Sequence, residues 1–132
     1  MSMLTGSIQS NRPLIEIAIG HGQNVQRVPA LVDTGFTGEL KIPPEIARGL
    51  EVAIEEVRTV TMGNAVAVPH GVGRTQVSLD GLQKEVRVLV GDGPTVIGIS
   101  LMRNFGFKLT LDPSENVFYL ERSNTNLFDT EE

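Results

Sequence analysis

The chain has 132 residues, of which 40% are hydrophobic and 20% are charged, and its net charge at pH 7 is -5. This length suits one domain with one hydrophobic core, and the acidic balance provides no basic surface that would hold the phosphate backbone of a nucleic acid. Because the sequence contains no cysteine, it excludes disulfides, thiolate metal sites and cysteine nucleophiles together.

The ends of the chain predict a soluble protein. Residues 1–11 lack the charged start and apolar run of a signal peptide, and no stretch approaches the roughly 18 apolar residues of a membrane span. We therefore expect a cytoplasmic protein that does not bind a membrane. One domain is expected over residues 1–122, followed by a polar, mobile tail at 123–132.

The first half of the chain predicts strands and one short helix. Short runs rich in Val, Ile and Thr, separated by Gly, Pro, Asn and Asp, favour an all-β domain. Residues 14–19 and 25–32 are predicted to pair as a hairpin, with an edge or a bulge at Pro29. A helix is predicted over 43–49, where prolines open the segment and Gly49 ends it.

The second half contains the strongest local signal. Asp80 and Gly81 separate the apolar runs 74–79 and 82–90, and these two residues tolerate the positive φ angles of a type I′ hairpin turn. A second short helix is predicted over 99–104. Strands at 108–111 and 117–121, joined by a turn at 112–114, complete the predicted all-β domain with two short helices.

One tripeptide lies where a catalytic group would be expected. Asp33-Thr34-Gly35 directly follows the apolar run 29–32, so a carboxylate is placed on a turn at the end of a buried strand. The same residue types form ordinary turns, and the tripeptide alone is equally compatible with a plain turn. A second feature, Val96-Ile97-Gly98 before an amphipathic segment at 99–105, favours a functional site.

Together these features resemble the signature of the retropepsin-like aspartic proteases, especially the small bacterial members. The similarity covers residues 14–120 and includes Asp33-Thr34-Gly35, Ile97-Gly98 and the continuation Phe36-Thr37-Gly38-Glu39-Leu40. It implies a closed β-barrel or sandwich with one or two short helices and one lobe per chain. It also implies an aspartic endopeptidase that hydrolyses extended peptide or protein substrates without a metal or another cofactor.

The resemblance assigns a role to each residue of the motif. Asp33 would be the catalytic residue, and Thr34 would hydrogen-bond across a two-fold axis. Gly35 would let the backbone approach the carboxylate, and Ile97-Gly98 would pack beneath it. No other aspartate of the chain follows an apolar strand and precedes Thr-Gly, so the second carboxylate must come from another copy in a homodimer.

The resemblance implies that a hairpin between residues 59 and 71 is the candidate flap, the hairpin that covers substrate in this family. Its predicted strands are 58–62 and 65–68, and Met62, Gly63 and Asn64 at its tip are expected to contact substrate. The tip departs from the bacterial pattern, which ends in glycine, and it has no aromatic residue. A plain solvent-facing hairpin is the other interpretation of this segment.

Other functions remain open at this stage. The same fold could be a catalytically silent module that captures an extended peptide as an added strand, or a barrel that only mediates oligomerisation. A zinc site is not expected, because His21 and His70 lie far apart in segments typical of surface turns. A serine hydrolase is not supported either, since no serine has the Gly-x-Ser-x-Gly context.

Overall fold

The computed structural model describes residues 2–61 and 64–122. Within them one ten-stranded sheet and two short helices confirm the predicted all-β fold class. The elements are β1 (Ser2–Gln9), β2 (Arg12–His21), β3 (Asn24–Val32), β4 (Leu40–Ile42), α1 (Pro44–Leu50), β5 (Glu56–Thr61), β6 (Ala67–Leu79), β7 (Leu82–Val90), β8 (Val96–Ile97), α2 (Ile99–Phe105), β9 (Lys108–Asp112), a 3-10 helix (Pro113–Glu115) and β10 (Val117–Arg122). None of these helices is long and apolar enough to cross a membrane. The predicted tail at 123–132 lies outside the described residues.

The sheet closes on itself because β6 pairs with β2 in addition to β5 and β7. Six strands form the resulting ring in the order β2, β3, β8, β4, β7 and β6. β5 extends from β6, while β1, β10 and β9 continue outward from β2. Two pairings of the ring, β3 with β8 and β4 with β7, are parallel and join segments that are distant in sequence.

The core is filled by aliphatic side chains from alternate strand positions. In β2, Ile15, Ile17 and Ile19 are buried, while Glu16 between them is exposed. This period of two is expected for a strand with one face toward the core. Both helices add side chains to the same core, among them the fully buried Leu50 and Leu101.

Both hairpins predicted from glycine-containing turns are present. Asp80 and Gly81 have φ angles of 54° and 75°, as a type I′ turn requires. Pro29 pairs with Glu16 of β2, whereas β8 meets β3 only at Leu31 and Val32. Pro29 therefore lies where β3 has a neighbour on one side, which confirms the predicted edge.

The predicted helix stop at Gly49 is wrong. α1 continues to Leu50, and Glu51 caps its end. The backbone of Glu51 is left-handed with φ 60°, and its N–H donates to the carbonyl oxygen of Arg48. A Cβ on Gly49 would collide with the side-chain amide of Gln26 in β3. Gly49 thus lies inside the helix beside the end of the Gln26 side chain, and Glu51 supplies the left-handed residue that ends the helix.

The sequence did not predict β1, whose apolar pattern is interrupted by Gly6. Gly6 lies opposite Phe118 of β10, and the Phe118 ring fills the space that a Cβ on Gly6 would occupy. Because Phe118 is fully buried, its ring replaces the missing side chain in the core.

We expect Gly6→Ala to lower the free energy of unfolding by about 1–3 kcal/mol, since the added methyl group overlaps the Phe118 ring. Thr5→Ala, at the adjacent exposed position, should change it by less than about 0.5 kcal/mol. Urea unfolding at one fixed protein concentration measures both. Equal effects of the two substitutions would show that the ring does not occupy this space.

Candidate active site

The loop that carries Asp33 begins where β3 ends. The N–H of Asp33 donates to the carbonyl oxygen of Ile97 at 3.0 Å, which holds the start of the loop against β8. The chain then turns, because the N–H of Phe36 donates to the carbonyl oxygen of Asp33 at 3.1 Å. Val32 and Ile97 are buried while Asp33 is exposed, so the last core residue of the strand directly precedes an accessible carboxylate.

The orientation of this carboxylate is set by Gly35. The N–H of Gly35 donates to Oδ1 of Asp33 at 2.8 Å. A Cβ on Gly35 would lie 3.2 Å from that oxygen, closer than an ordinary van der Waals contact, and the carboxylate would have to shift. Thr34, between the two residues, is exposed on the protein surface.

Gly98 supports the loop from below. Its N–H donates to the carbonyl oxygen of Glu39 at 3.0 Å, and the N–H of Ile99 donates to that of Phe36 at 2.9 Å. A Cβ on Gly98 would lie 2.5 Å from the Phe36 carbonyl oxygen and closer still to that of Gly38. No side chain fits there, so glycine is required for α2 to begin directly beneath the loop. The structure thus brings Asp33, Gly35, Ile97 and Gly98 together.

Glu39 is a contributor to this loop to which the sequence assigned no separate role. Its two carboxylate oxygens accept from the backbone N–H of Arg87 in β7 and from the side-chain amide of Asn104 in α2, both at 2.9 Å. One side chain thus ties the loop to a strand and to a helix. Because these partners are 48 and 65 residues away, no local pattern indicates the contact.

Lys41 anchors the loop that leads into β8. Its ammonium group donates to the backbone carbonyl oxygens of Gly91 and Asp92. Burial lowers the pKa of Lys41, and the negative charge of Asp92 raises it in part. The same segment, 91–95, precedes the strand that receives the Asp33 N–H, so the side chain of Lys41 fixes the backbone shortly before that strand.

An open groove of about 340 Å³ borders the loop on the side of Thr34. Ile99, at its edge, is 39% exposed although it is a large apolar residue. The groove extends from the loop across α2 to β9. Its lining residues are Thr34, Ile99, Met102, Arg103, Phe107 and Leu109.

β5 and β6 form a hairpin in the position predicted for the flap. Their last pair is Thr61 with Ala67, so the second strand begins at Ala67 and its predicted start at Ala65 is wrong. Ala65 has a left-handed backbone with φ 67°, and the N–H of Val66 donates to Oδ1 of Asn64 at 3.1 Å. Because of this local turn, β6 begins two residues later than predicted.

The substrate contacts expected at the flap tip stay predictions. Asn64 is exposed. Met62 and Gly63 lie outside the described residues.

His70 is not the surface histidine that its sequence context indicated. It lies within β6, is 3% exposed and packs its ring against Gly91. Its Nδ1 atom lies 3.1 Å from the carbonyl oxygen of Val68. Among residues 2–61 and 64–122, no three His, Asp or Glu side chains are grouped so that they could hold a metal ion.

Two solved structures are similar to this chain over most of its length. One, a retropepsin-like aspartic protease from Rickettsia conorii, matches with a TM-score of 0.64 at 16% identity over 92% of this chain and 90% of that chain. The chain has the retropepsin-like fold. The second, the EIAV protease complexed with the inhibitor HBY-793, matches with a TM-score of 0.61 at 21% identity over 77% of this chain and 95% of that chain.

The retropepsin-like fold confirms the expectation drawn from the sequence motifs. No family model and no curated protein sequence matches the chain. At identities of 16% and 21% the similarity is one of fold, and the catalytic role of Asp33 stays a prediction.

We expect Gly98→Ala to lower the free energy of unfolding by about 1–3 kcal/mol or more, because its methyl group would overlap two backbone carbonyl oxygens. Gly20→Ala is the matched control, since a Cβ there would meet no atom closer than 3.6 Å. Denaturant unfolding of both variants at equal protein concentration tests the difference. Wild-type stability of Gly98→Ala would contradict the close contact beneath the loop.

Proposed function

We propose that this chain is an aspartic endopeptidase in which two Asp33 carboxylates, one from each subunit of a homodimer, activate a water molecule. The observation that carries the proposal is the exposed carboxylate of Asp33, oriented by the N–H of Gly35 on a loop with Gly98 beneath it. The retropepsin-like fold of the chain supports the same chemistry.

Two facing carboxyl groups supply both functions that peptide hydrolysis needs without a metal. A base must take a proton from the attacking water, and an acid must give one to the carbonyl oxygen of the peptide. Two carboxyl groups about 3 Å apart cannot both ionise, so they share one proton and titrate as a pair, and aspartic proteases are the type case. One Asp33 would therefore act as the base and its partner's Asp33 as the acid.

The other aspartates of the described residues support the need for a second copy. Asp80 contacts Arg122 at 3.5 Å, and Asp112 accepts a hydrogen bond from the hydroxyl of Ser114 at 2.9 Å. Asp92 lies in the loop before β8 that Lys41 anchors. None of the three precedes a Thr-Gly pair as Asp33 does, so a two-fold axis beside Asp33 is the simplest source of the second group.

The substrate expected for this site is an extended peptide or an unfolded protein segment. In a homodimer the β5–β6 hairpins of both subunits would cover a cleft over the paired Asp33 loops. A cleft bounded by hairpins binds a substrate as an added strand, because backbone hydrogen bonds supply the affinity. A cytoplasmic location stays a prediction from the sequence.

Asp33→Asn should abolish peptide hydrolysis and leave the fold intact, since the amide is nearly isosteric but cannot act as the base. The decisive measurement mixes this variant with an equal amount of wild type. If subunits exchange, random pairing leaves about half of the wild-type homodimers, and activity should fall to about half.

Asp92→Asn is the matched control in this mixture, because it removes a loop carboxylate that lies outside the motif. It should leave activity unchanged. Exchange is measured separately with a mass-tagged subunit. Full activity of an exchanged Asp33→Asn mixture would show that each chain has its own complete site, and the shared dyad would be wrong.

The rate of peptide hydrolysis should follow a bell-shaped, acid-leaning pH profile, because one carboxyl group must be ionised while the other is protonated. Initial rates on an unstructured peptide, measured from acidic to alkaline pH with and without EDTA, test this expectation. A rate that keeps rising into the alkaline range, or that EDTA abolishes, would contradict the mechanism.

A protein that binds the peptide but does not cleave it at any pH would favour the alternative function, a catalytically silent peptide-binding module.

A further inference from the structure

A second open groove, of about 410 Å³, lies between the Asp33 loop and the β5–β6 hairpin. Gly38 and Glu39 line it from the loop that follows Asp33, and Arg58 lines it from β5. Arg87 of β7 completes the wall between them. A peptide that lay over Asp33 and beneath the hairpin would therefore pass this groove.

The strand pairing places both arginines on one face of the sheet. Arg58 lies opposite His70 of β6, and Arg87 lies opposite Arg74 of the same strand. His70 and Arg74 are four residues apart, and residues separated by an even number share a face of a strand. Because directly paired residues also share a face, Arg58 and Arg87 lie on the same side of these three strands.

The groove combines apolar surface with two accessible cationic groups. Leu89 lines it and shares the face of Arg87, since the two residues are two positions apart in β7. The side chain of Arg58 is 49% exposed, and Arg87 is exposed as well. Ligand pockets are typically apolar with a few charged groups that select the ligand. Here the two guanidinium groups favour a carboxylate.

The neighbouring carboxylates leave donors of both arginines available. Glu56 pairs with Arg58 at 2.9 Å, but this pair is exposed and worth at most about 1 kcal/mol. A guanidinium group has five N–H donors, so Arg58 can bind a second carboxylate as well. The carboxylate of Glu39 accepts from the backbone N–H of Arg87 and from the amide of Asn104.

Arg87 has a like-charged neighbour. Its direct partner across the strands is Arg74, and like charges in opposite positions are destabilising. Glu55 lies 3.4 Å from Arg74, whereas no carboxylate in the described part of the chain forms an ion pair with Arg87. A carboxylate that entered the groove would offset this excess of positive charge.

We propose that this groove is a specificity pocket in which Arg58 and Arg87 bind the carboxylate of an acidic residue of the substrate. The inference rests on the proposed function, because it assumes that an extended peptide lies over Asp33. It narrows the substrate class to peptides with an aspartate or a glutamate at a fixed distance from the cleaved bond. A homodimer contains the groove twice, so one such position is expected on each side of that bond.

A series of peptides with one moving glutamate tests the pocket. Each peptide has the same neutral sequence with a single glutamate at a different position, and its control carries glutamine there. At one position on each side of the cleaved bond, kcat/KM should be about tenfold higher with glutamate, because hydrogen bonds between charged groups are the strong ones. At the other positions the ratio should stay near one.

Substitutions of the two arginines connect this preference to the groove. Arg58→Gln and Arg87→Gln should each lower the ratio of glutamate to glutamine peptides towards one. Arg87→Lys keeps the charge but loses the planar fork, so it should retain part of the preference. Arg87→Glu should favour lysine over glutamine at the same positions, which a misfolded variant would not do.

Arg27→Gln is the matched control for net charge. It removes the same charge at an exposed position of β3 that does not line the groove, and it should keep the wild-type ratio. A binding measurement removes the dependence on catalysis. In Asp33→Asn, the dissociation constants of the glutamate and glutamine peptides should differ by about tenfold in fluorescence anisotropy, and adding Arg87→Gln should abolish the difference.

The outcomes distinguish the pocket from the proposed function. Cleavage without a favoured glutamate position, or a preference that survives both arginine-to-glutamine variants, would overturn the pocket and leave the peptidase. An equal loss of the preference in Arg27→Gln would overturn the pocket too. Glutamate-selective binding by a wild type that cleaves no peptide would support the pocket and overturn the peptidase. A protein that neither binds nor cleaves any peptide of the series would overturn both.

Discussion

The close contact between Gly98 and the loop after Asp33 is the constraint on which the candidate site depends. Without a Cβ at Gly98, the carbonyl oxygens of Phe36 and Gly38 can approach the start of α2 and accept its free N–H groups. These two carbonyl oxygens are thereby hydrogen-bonded within the protein. Asp33 is consequently held by a hydrogen-bonded frame, and a rigid frame is what a catalytic carboxylate needs to keep its orientation.

This frame exists only when the barrel is closed. The strand before Asp33 and the strand before Gly98 meet as parallel neighbours, and Glu39 connects their loop to β7 and α2. All of these contacts join segments that are distant along the chain, and forming them costs the entropy of closing the intervening loops. The site is therefore a product of tertiary structure, although its most recognisable residues form a short motif.

The same distinction explains what the sequence could and could not predict. The turn at Asp80-Gly81 and the end of the strand before Asp33 depend on neighbouring residues, and both were predicted correctly. Gly49 lies beside the side chain of Gln26, and His70 is buried against Gly91. No local pattern connects either residue with this distant neighbour. Strand β1 was not predicted for a related reason. The apolar contact at its centre comes from the ring of Phe118 in β10, which packs against Gly6.

If each chain supplies only one motif, the activity of the protein would depend on its concentration. Under the proposed homodimer, dissociation removes the dyad itself, because a single subunit holds one Asp33 and no second catalytic carboxylate. Activity would then follow the dimer population, and so would apparent stability wherever folding and association are coupled. Two-fold symmetry adds a second consequence, because every substitution occurs twice in a homodimer. A subunit pair that carries different residues at one position is therefore the natural way to separate what each copy contributes.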